Sequence, residues 1–251
     1  DQILHGNMLY DFSKKFKKTY LAIDPRLLEI FQKSFPDIHC YSLFDETNQE
    51  FFDYQIPLTS IGAYVRESVE DFFPLRSPFL NFHKKLEYDK KRKLRCAISW
   101  KSSQGTHSKL KSMSLNDLSK ILKLSQIEFY NIQYTDEREE IEQAQKDHGF
   151  HLLDPPGLDV KNDLVGLIDF FNNCDFIINI SNTNAHLSGA IGKKTYLLLP
   201  TPAGRFWYWE NNYNGKNIWY PSIEIFTQKE PYNWSDPIDE LLKKIKTDFS
   251  I

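Results

Sequence analysis

The chain has 251 residues, of which 41% are hydrophobic and 15% aromatic, so it can build a substantial core and intrinsic disorder is excluded. Its formal net charge is −3 and its lysines and arginines are dispersed, which gives no support to a general nucleic-acid surface. This length fits one large domain or two of ordinary size.

Cysteine usage and hydropathy indicate the compartment. Cys40, Cys96 and Cys174 lie far apart, in or beside apolar segments and without CxxC spacing, which is typical of free thiols in reducing surroundings. No stretch approaches the roughly 18 apolar residues that cross a bilayer, and no secretory signal opens the chain. We therefore expect a cytoplasmic protein without a transmembrane segment.

The first part of the chain alternates between helix and strand patterns, which indicates parallel βαβ units. Helical spacing covers residues 3–16, and a second helix begins at Pro25, a favoured first helical position. The strand patterns are at residues 19–24, 38–43 and, more weakly, 51–58.

A proline-punctuated, charged segment follows and is interpreted as an inter-domain connection. Its basic run, KLEYDKKRKLR, also contains acidic residues and resembles a solvated linker more than a phosphate-binding stripe. These patterns predict an N-terminal domain over residues 1–80, a linker over 81–93, a second domain over 94–237 and a closing helix over 238–251.

The second domain has the alternating pattern of a doubly wound α/β sheet. Strand patterns begin with LRCAISW and IEFYNIQ and continue with FHLLD, FIINI and TYLLL. Helix patterns separate them, with Ser114 opening a capping box and Asp163 capping the helix NDLVGLIDFFNNC. In such sheets ligands bind beyond the carboxyl ends of the strands, so the loops 101–108, 134–137 and 181–184 should converge on one crevice.

The segment SNTNAHLSGAIG carries the strongest functional signal. An apolar strand ends at Ser181, and short polar residues then lead into a helix of small residues. Free N–H groups at a helix start can hold a phosphate, although ordinary capping of a βα turn explains the same residues. Likewise, the aromatic run RFWYWENNY suits either a sugar platform or packing of the C-terminal loop. Packing is favoured for Trp207 and Trp219, and His107 is interpreted as a solvated loop residue.

Several segments, in order, resemble the bacterial family 9-like glycosyltransferase domains related to heptosyltransferases. They are CAISWKSS, FYNIQY, CDFIINISNTNAHLSGAIG, TYLLLP and IWYPSIEIF, with DQILHGNMLYDF similar to the family's opening segment. The resemblance implies a GT-B fold, in which two Rossmann-like domains face a cleft, with the N-terminal half incomplete here. It also implies a metal-independent transferase whose donor is a nucleotide-diphosphate sugar, with no other cofactor and an unknown acceptor, and tetratricopeptide repeats fused upstream.

The resemblance also assigns roles to individual residues. Asp1 corresponds to the general base and His5 to a polar neighbour. The implied donor-binding residues are Ser99, Lys101, Ser102, Gln133, Ser181, Asn182, Thr183, Asn184 and His186. Arg205 is a further candidate for phosphate, from its place in the aromatic run. No cluster with metal-ligand spacing is present in the sequence.

Two departures from the family pattern leave alternatives open. The glycine turn and strand expected before Asp1 are absent, as in a piece of a longer protein, and Ser181 stands where relatives usually carry Asp. Compared with aspartate, serine can still form a hydrogen bond but carries no negative charge. The alternatives to an active transferase are an impaired GT-B-like interaction module and a nucleotide-sugar epimerase.

Overall fold

The computed structural model describes residues 1–45, 52–73, 77–82, 92–102, 108–210 and 212–251. Its N-terminal part begins with α1 (Gln2–Gly6) and α2 (Leu9–Ser13) and continues with β1 (Thr19–Ile23), α3 (Pro25–Ser34) and β2 (Ile38–Ser42). Two 3₁₀ turns, Leu58–Ser60 and Val69–Phe72, flank α4 (Gly62–Val65). The strands β1 and β2 pair in parallel around α3, as the alternating pattern predicts.

Two predictions for this part were wrong. The helix expected over residues 3–16 is broken into α1 and α2, and at the junction the Asn7 and Met8 N–H groups donate to the Leu4 and His5 carbonyls, three residues back instead of four. The strand expected over 51–58 is not formed within residues 52–57. Residue 51 and most of the predicted linker, 83–91, lie outside the described residues.

The second part is built on a six-stranded parallel sheet. Its elements are β3 (Leu94–Ile98), α5 (Ser108–Lys111), α6 (Leu115–Leu122), β4 (Ile127–Asn131), α7 (Arg138–His148), β5 (Leu152–Leu153), α8 (Leu164–Asn173), β6 (Phe176–Ile180), α9 (Thr183–Ala190) and β7 (Thr195–Leu199). A small hairpin of β8 (Asn212–Tyr213) and β9 (Lys216–Asn217), then β10 (Ile223–Thr227) and α10 (Ser235–Phe249), complete it. The predicted FHLLD strand is thus reduced to two residues.

The strand order is β10-β7-β6-β3-β4-β5. The chain starts at β3 in the middle, winds outward to β5, and returns to the other side of β3 through β6. This doubly wound order confirms the predicted α/β class and places the topological switch point between β3 and β6.

Helices cover both faces of this sheet. On one face, Ala97, Ile177 and Leu197 belong to a hydrophobic cluster with α8 and α9. The residues that follow them in the strands, such as Ile98 and Ile178, belong to the cluster with α6 and α10 on the other face. The first cluster also contains the buried residues of α1, α2 and α3. The N-terminal part therefore packs on the sheet face that carries α9. No helix in the described ranges is long and apolar enough to cross a membrane.

Candidate functional site

The loops after β3 and β6 meet at the switch point through direct hydrogen bonds. The Ser99 backbone N–H donates to the Ile178 carbonyl at 3.1 Å, and Asn182 Nδ2 donates to Ser99 Oγ at 2.8 Å. The loop after β4 joins them because Ser99 Oγ donates to Gln133 Oε1 at 3.1 Å. The structure therefore brings together three residues that the sequence placed in one crevice.

Gln133 is the centre of this network. Its Oε1 also accepts from the backbone N–H groups of Trp100 (3.2 Å) and Lys101 (3.0 Å), while its Nε2 donates to the Lys101 carbonyl and to Thr135 Oγ1. Gln133 is only 4% exposed. It therefore fixes the shape of the loop after β3, and a ligand in the crevice would meet the loops that it positions.

The start of α9 provides the groups best suited to an anion. Asn182 is its N-cap, and Asn182 Oδ1 accepts from the Ala185 N–H at 3.3 Å. Asn184 is buried and donates to the Ile132 carbonyl at 3.0 Å. Thr183 is exposed. First-turn N–H groups have no partner within a helix, so those of Thr183 and Asn184 remain to bind a phosphate oxygen.

The small residues of α9 let it approach the sheet closely. Thr195 Oγ1 in β7 donates to Ser188 Oγ at 3.0 Å. A Cβ on Gly189 would lie 2.6 Å from the Tyr220 ring. Ser188 and Gly189, in the second half of α9, thus let this helix lie close to β7 and to Tyr220.

Ser181 does not face the crevice as a free group. It is 3% exposed, and its Oγ accepts a 2.9 Å hydrogen bond from Trp209 Nε1. The Ser181 hydroxyl therefore anchors the aromatic segment after β7.

Lys101 lies at the expected strand end, but its charge is already paired. Its Nζ is 2.5 Å from carboxylate oxygens of both Glu137 and Glu140 at the start of α7. Burial alone lowers the pKa of Lys101, and the hydrogen bonds to the two glutamates outweigh it, so the pKa is raised. Ser102 is half-buried, and its backbone N–H donates to Ser112 Oγ at 3.0 Å. His107 lies outside the described residues.

His186 and Arg205 are both held by other protein groups. His186 is stacked against Trp209 with ring centroids 5.1 Å apart, and its Nδ1 is 2.9 Å from the Tyr220 hydroxyl. Burial lowers the pKa of His186 to about 3, so the ring is neutral near pH 7. Arg205 donates to the Pro200 carbonyl at 2.9 Å, and its Nε is buried without a hydrogen-bond partner.

The two candidate catalytic residues lie on the helix that packs against α9. Asp1 is the exposed N-cap residue of α1, and its side chain makes no capping bond. His5 is 9% exposed, and its Nδ1 is 2.9 Å from the Asp1 carbonyl. A carbonyl only accepts, so Nδ1 carries the proton and Nε2 is the free basic nitrogen. Desolvation lowers the pKa of His5, which keeps it neutral near pH 7.

A cavity of about 580 Å³ adjoins His5, between the N-terminal part and the segment after β7. Residues from both parts line it, among them Met8, Arg66, Phe72, Trp207, Glu210 and Trp219. The sequence favoured a packing role for both Trp219 and Trp207. This prediction is confirmed for Trp219, which is 5% exposed, and is wrong for Trp207, which is 57% exposed. Sequence patterns did not indicate this cavity because its walls come from segments that are far apart in the chain, residues 5–72 and residues 207–219.

Comparisons with known proteins give distant similarities. No protein-family profile matches the chain. It is 25% identical to Protein FlbA of Caulobacter vibrioides over 258 residues, covering 93% of this chain and 42% of that protein. The chain thus spans about two fifths of the length of this curated relative.

Among solved structures, the chain is similar to E. coli heptosyltransferase WaaC with ADP-2-deoxy-2-fluoro heptose. The TM-score is 0.40 at 11% sequence identity, over 64% of this chain and 45% of that chain. A similarity this remote carries no argument about activity, which has to come from the site itself.

Proposed function

We propose that the chain is a glycosyltransferase domain of GT-B type that moves a sugar from a nucleotide-diphosphate donor to a hydroxyl acceptor. The observation that carries the proposal is the position of the start of α9. It lies at the switch point between β3 and β6 and faces the region where α1 packs. The family resemblance of the α9 segment supports it. Fusion to tetratricopeptide repeats and a cytoplasmic location belong to the same proposal.

The diphosphate would bind at the start of α9. The N–H groups of Thr183 and Asn184 lie at the positive end of the helix dipole and favour negative charge there. During transfer the anomeric carbon–oxygen bond breaks and its electron pair goes to the leaving diphosphate. Fixed N–H donors stabilise that developing charge without reorganising, which is the largest contribution many enzymes make. We assign this role to the α9 start and do not require a metal ion.

The acceptor hydroxyl would be activated from α1. Its oxygen forms the new bond to the anomeric carbon while its proton passes to a base. The candidates are the exposed Asp1 carboxylate and the free Nε2 of His5, which is neutral near pH 7 and able to accept a proton. Both lie on the helix that packs on α9, so base and leaving group belong to adjoining elements.

Nucleotide binding to the full 251-residue chain tests the proposal. Titration calorimetry with UDP, GDP and ADP should show binding of at least one of them at millimolar concentration. Thr183→Glu should abolish that binding, because the new carboxylate occupies the anion position while remaining compatible with a helix N-terminus. Thr183→Gln, of similar size and uncharged, serves as the matched control and should retain most of the affinity. Failure of all three nucleotides to bind the wild-type chain would refute the proposal.

A second candidate function, a nucleotide-binding module without turnover, is favoured by the geometry of Ser181. The family's Asp is replaced by a hydroxyl that is turned to Trp209. Release of nucleotide diphosphate from UDP-, GDP- and ADP-sugars separates the two functions. Binding without release over hours supports the module, whereas release that depends on Asp1 or His5 supports the enzyme.

A further inference from the structure

We propose that the 580 Å³ cavity beside His5 is the acceptor site and that it takes an uncharged carbohydrate ring. The assignment as acceptor site rests on the proposed transferase function. The choice of an uncharged ring rests on the walls and charges of the cavity itself. Its lining is about half aromatic or apolar and about half polar, and aromatic side chains with convergent polar groups are typical of a small-molecule site.

The aromatic wall of the cavity is suited to the apolar face of a sugar. Trp207 keeps 57% of its surface exposed although it belongs to a packed aromatic group. Its ring lies 5.8 Å from that of Trp219, at 78°, and Phe72 contacts Trp219 from the other segment with centroids 4.8 Å apart. An indole held at a cavity wall offers a large contact area at little entropic cost, because its neighbours already fix its orientation.

The cationic group in the cavity wall is already neutralised. Arg66 has a side chain only 7% exposed, and it donates to Asp11 Oδ2 at 2.8 Å and to the Val65 carbonyl at 2.7 Å. His5 is neutral near pH 7. Among the described lining residues, Arg66 and His5 are the only groups able to carry positive charge.

Two carboxylates give the cavity its net charge. Glu67 and Glu210 both line it and both are exposed. Glu210 has one cationic neighbour, Arg205, at 3.8 Å, which is beyond hydrogen-bond distance. Carboxylates accept hydrogen bonds from sugar hydroxyls and repel phosphates or uronates. The charge pattern therefore disfavours an anionic acceptor and is compatible with a neutral ring.

The position of the cavity fits the transfer step. His5 belongs to its wall, and α1 packs on α9, where the diphosphate would bind. A ring stacked on Trp207 would thus lie beside the candidate base while its hydroxyls meet Glu67 and Glu210. The hydroxyl oxygen would bond to the anomeric carbon, its proton would go to the base, and the diphosphate would leave with the electron pair.

Saturation-transfer NMR on the full 251-residue chain tests the inference. The probes are methyl α-glycosides of glucose, galactose and mannose, each compared with the corresponding sugar 6-phosphate. We expect at least one neutral glycoside to bind and its 6-phosphate to bind at least fivefold more weakly. Trp207→Ala should reduce glycoside binding at least fivefold, and Trp207→Phe should restore part of it. Tyr54→Ala removes a ring that is 83% exposed and outside the cavity, and should change nothing.

A charge reversal isolates the role of the carboxylates. The double variant Glu67→Lys/Glu210→Lys should shift the preference from the neutral glycoside to the 6-phosphate, while leaving nucleotide affinity within twofold. The inference is overturned if no neutral glycoside binds the wild-type chain, if Trp207→Ala binds as well as wild type, or if the 6-phosphates bind equally. If glycosides bind as expected but no nucleotide binds, the proposed transferase function and the acceptor role are refuted. The assignment of the cavity as a carbohydrate site is then still supported.

Discussion

Lys101 shows how a correctly placed residue can have a different immediate role. It follows β3 at the crevice, as expected of a phosphate-binding lysine, yet its ammonium is shared between Glu137 and Glu140. An incoming diphosphate would have to compete with two carboxylates for that charge. In the proposed function Lys101 would act on the site in two ways, by attracting phosphate and by masking negative charge near it.

Substituting Lys101→Ala separates these two effects. Nucleotide-diphosphate affinity should fall by about 1–3 kcal/mol, because a charge-assisted contact is lost and two carboxylates lose their counter-charge. The added change Glu137→Gln should recover part of the loss if masking matters. Lys123→Ala changes an exposed lysine between α6 and β4, outside the crevice, and is the control for calorimetry. An unchanged affinity in Lys101→Ala would remove this lysine from the site.

His186 makes the stability of the protein depend on pH. Its folded pKa of about 3 lies below the ordinary value near 6.5, so between these values the unfolded chain binds a proton that the folded chain does not. Acid therefore favours unfolding. The contribution is absent above about pH 7 and amounts to about 2 kcal/mol of lost stability at pH 5.

Urea denaturation at pH 5, 6 and 7 measures this effect. The unfolding free energy of the wild-type chain should decrease as the pH is lowered from 7 to 5. His186→Gln should weaken this dependence without abolishing it, because His5 contributes in the same direction. His151→Gln changes an exposed histidine and is the control variant. Equal slopes for His186→Gln and wild type would show that His186 titrates normally.

At the scale of elements, the position of α9, where the phosphate is proposed to bind, depends on the side chains packed behind this helix. Gly189 lies so close to Tyr220 that an added Cβ would be 2.6 Å from the ring, and 2.9 Å from Ile223. Tyr220 is fully buried and contacts His186, so it has no free space to move into. The helix therefore keeps its position only with glycine there.

Gly189→Ala should consequently destabilise the fold by about 1–3 kcal/mol, since the overlap outweighs the better helix propensity of alanine. Gly62→Ala is the matched control, because its Cβ would meet only Met8 Sδ at 3.5 Å in a helix. That variant should be neutral or slightly stabilising. The urea denaturation midpoints of both variants, compared with that of the wild-type chain, measure the difference in stability. A neutral Gly189→Ala would mean that α9 can shift away from Tyr220.

Elements set by short-range signals could be predicted from the sequence. The caps at Ser114 and Asp163 were predicted correctly, because a cap involves residues two or three positions apart. The pairing of Lys101 with Glu137 and the exposure of Trp207 could not be predicted, since they depend on contacts between distant segments.

At the scale of the whole molecule, the N-terminal part and the sheet share one hydrophobic cluster. It contains Leu4 of α1 and Phe31 of α3 together with Leu187 of α9 and Tyr220. Two domains over residues 1–80 and 94–237 remain a prediction. A shared core means that loosening one part removes buried apolar contacts from the other. The proposed base on α1 and the proposed anion site on α9 are therefore positioned by the same packing.

This coupling predicts one cooperative unfolding transition. All five tryptophans follow residue 99, so their fluorescence reports mainly on the second part, with Trp219 also in contact with Phe72 of the N-terminal part. Leu4→Ala in α1, where leucine is 1% exposed, should still lower the fluorescence midpoint by the equivalent of about 2–4 kcal/mol, with circular dichroism coinciding. Leu43→Ala, where leucine is 49% exposed, should leave it in place. Independent domains would instead give a fluorescence midpoint that Leu4→Ala does not move, and the two halves of the proposed site would then be free to separate.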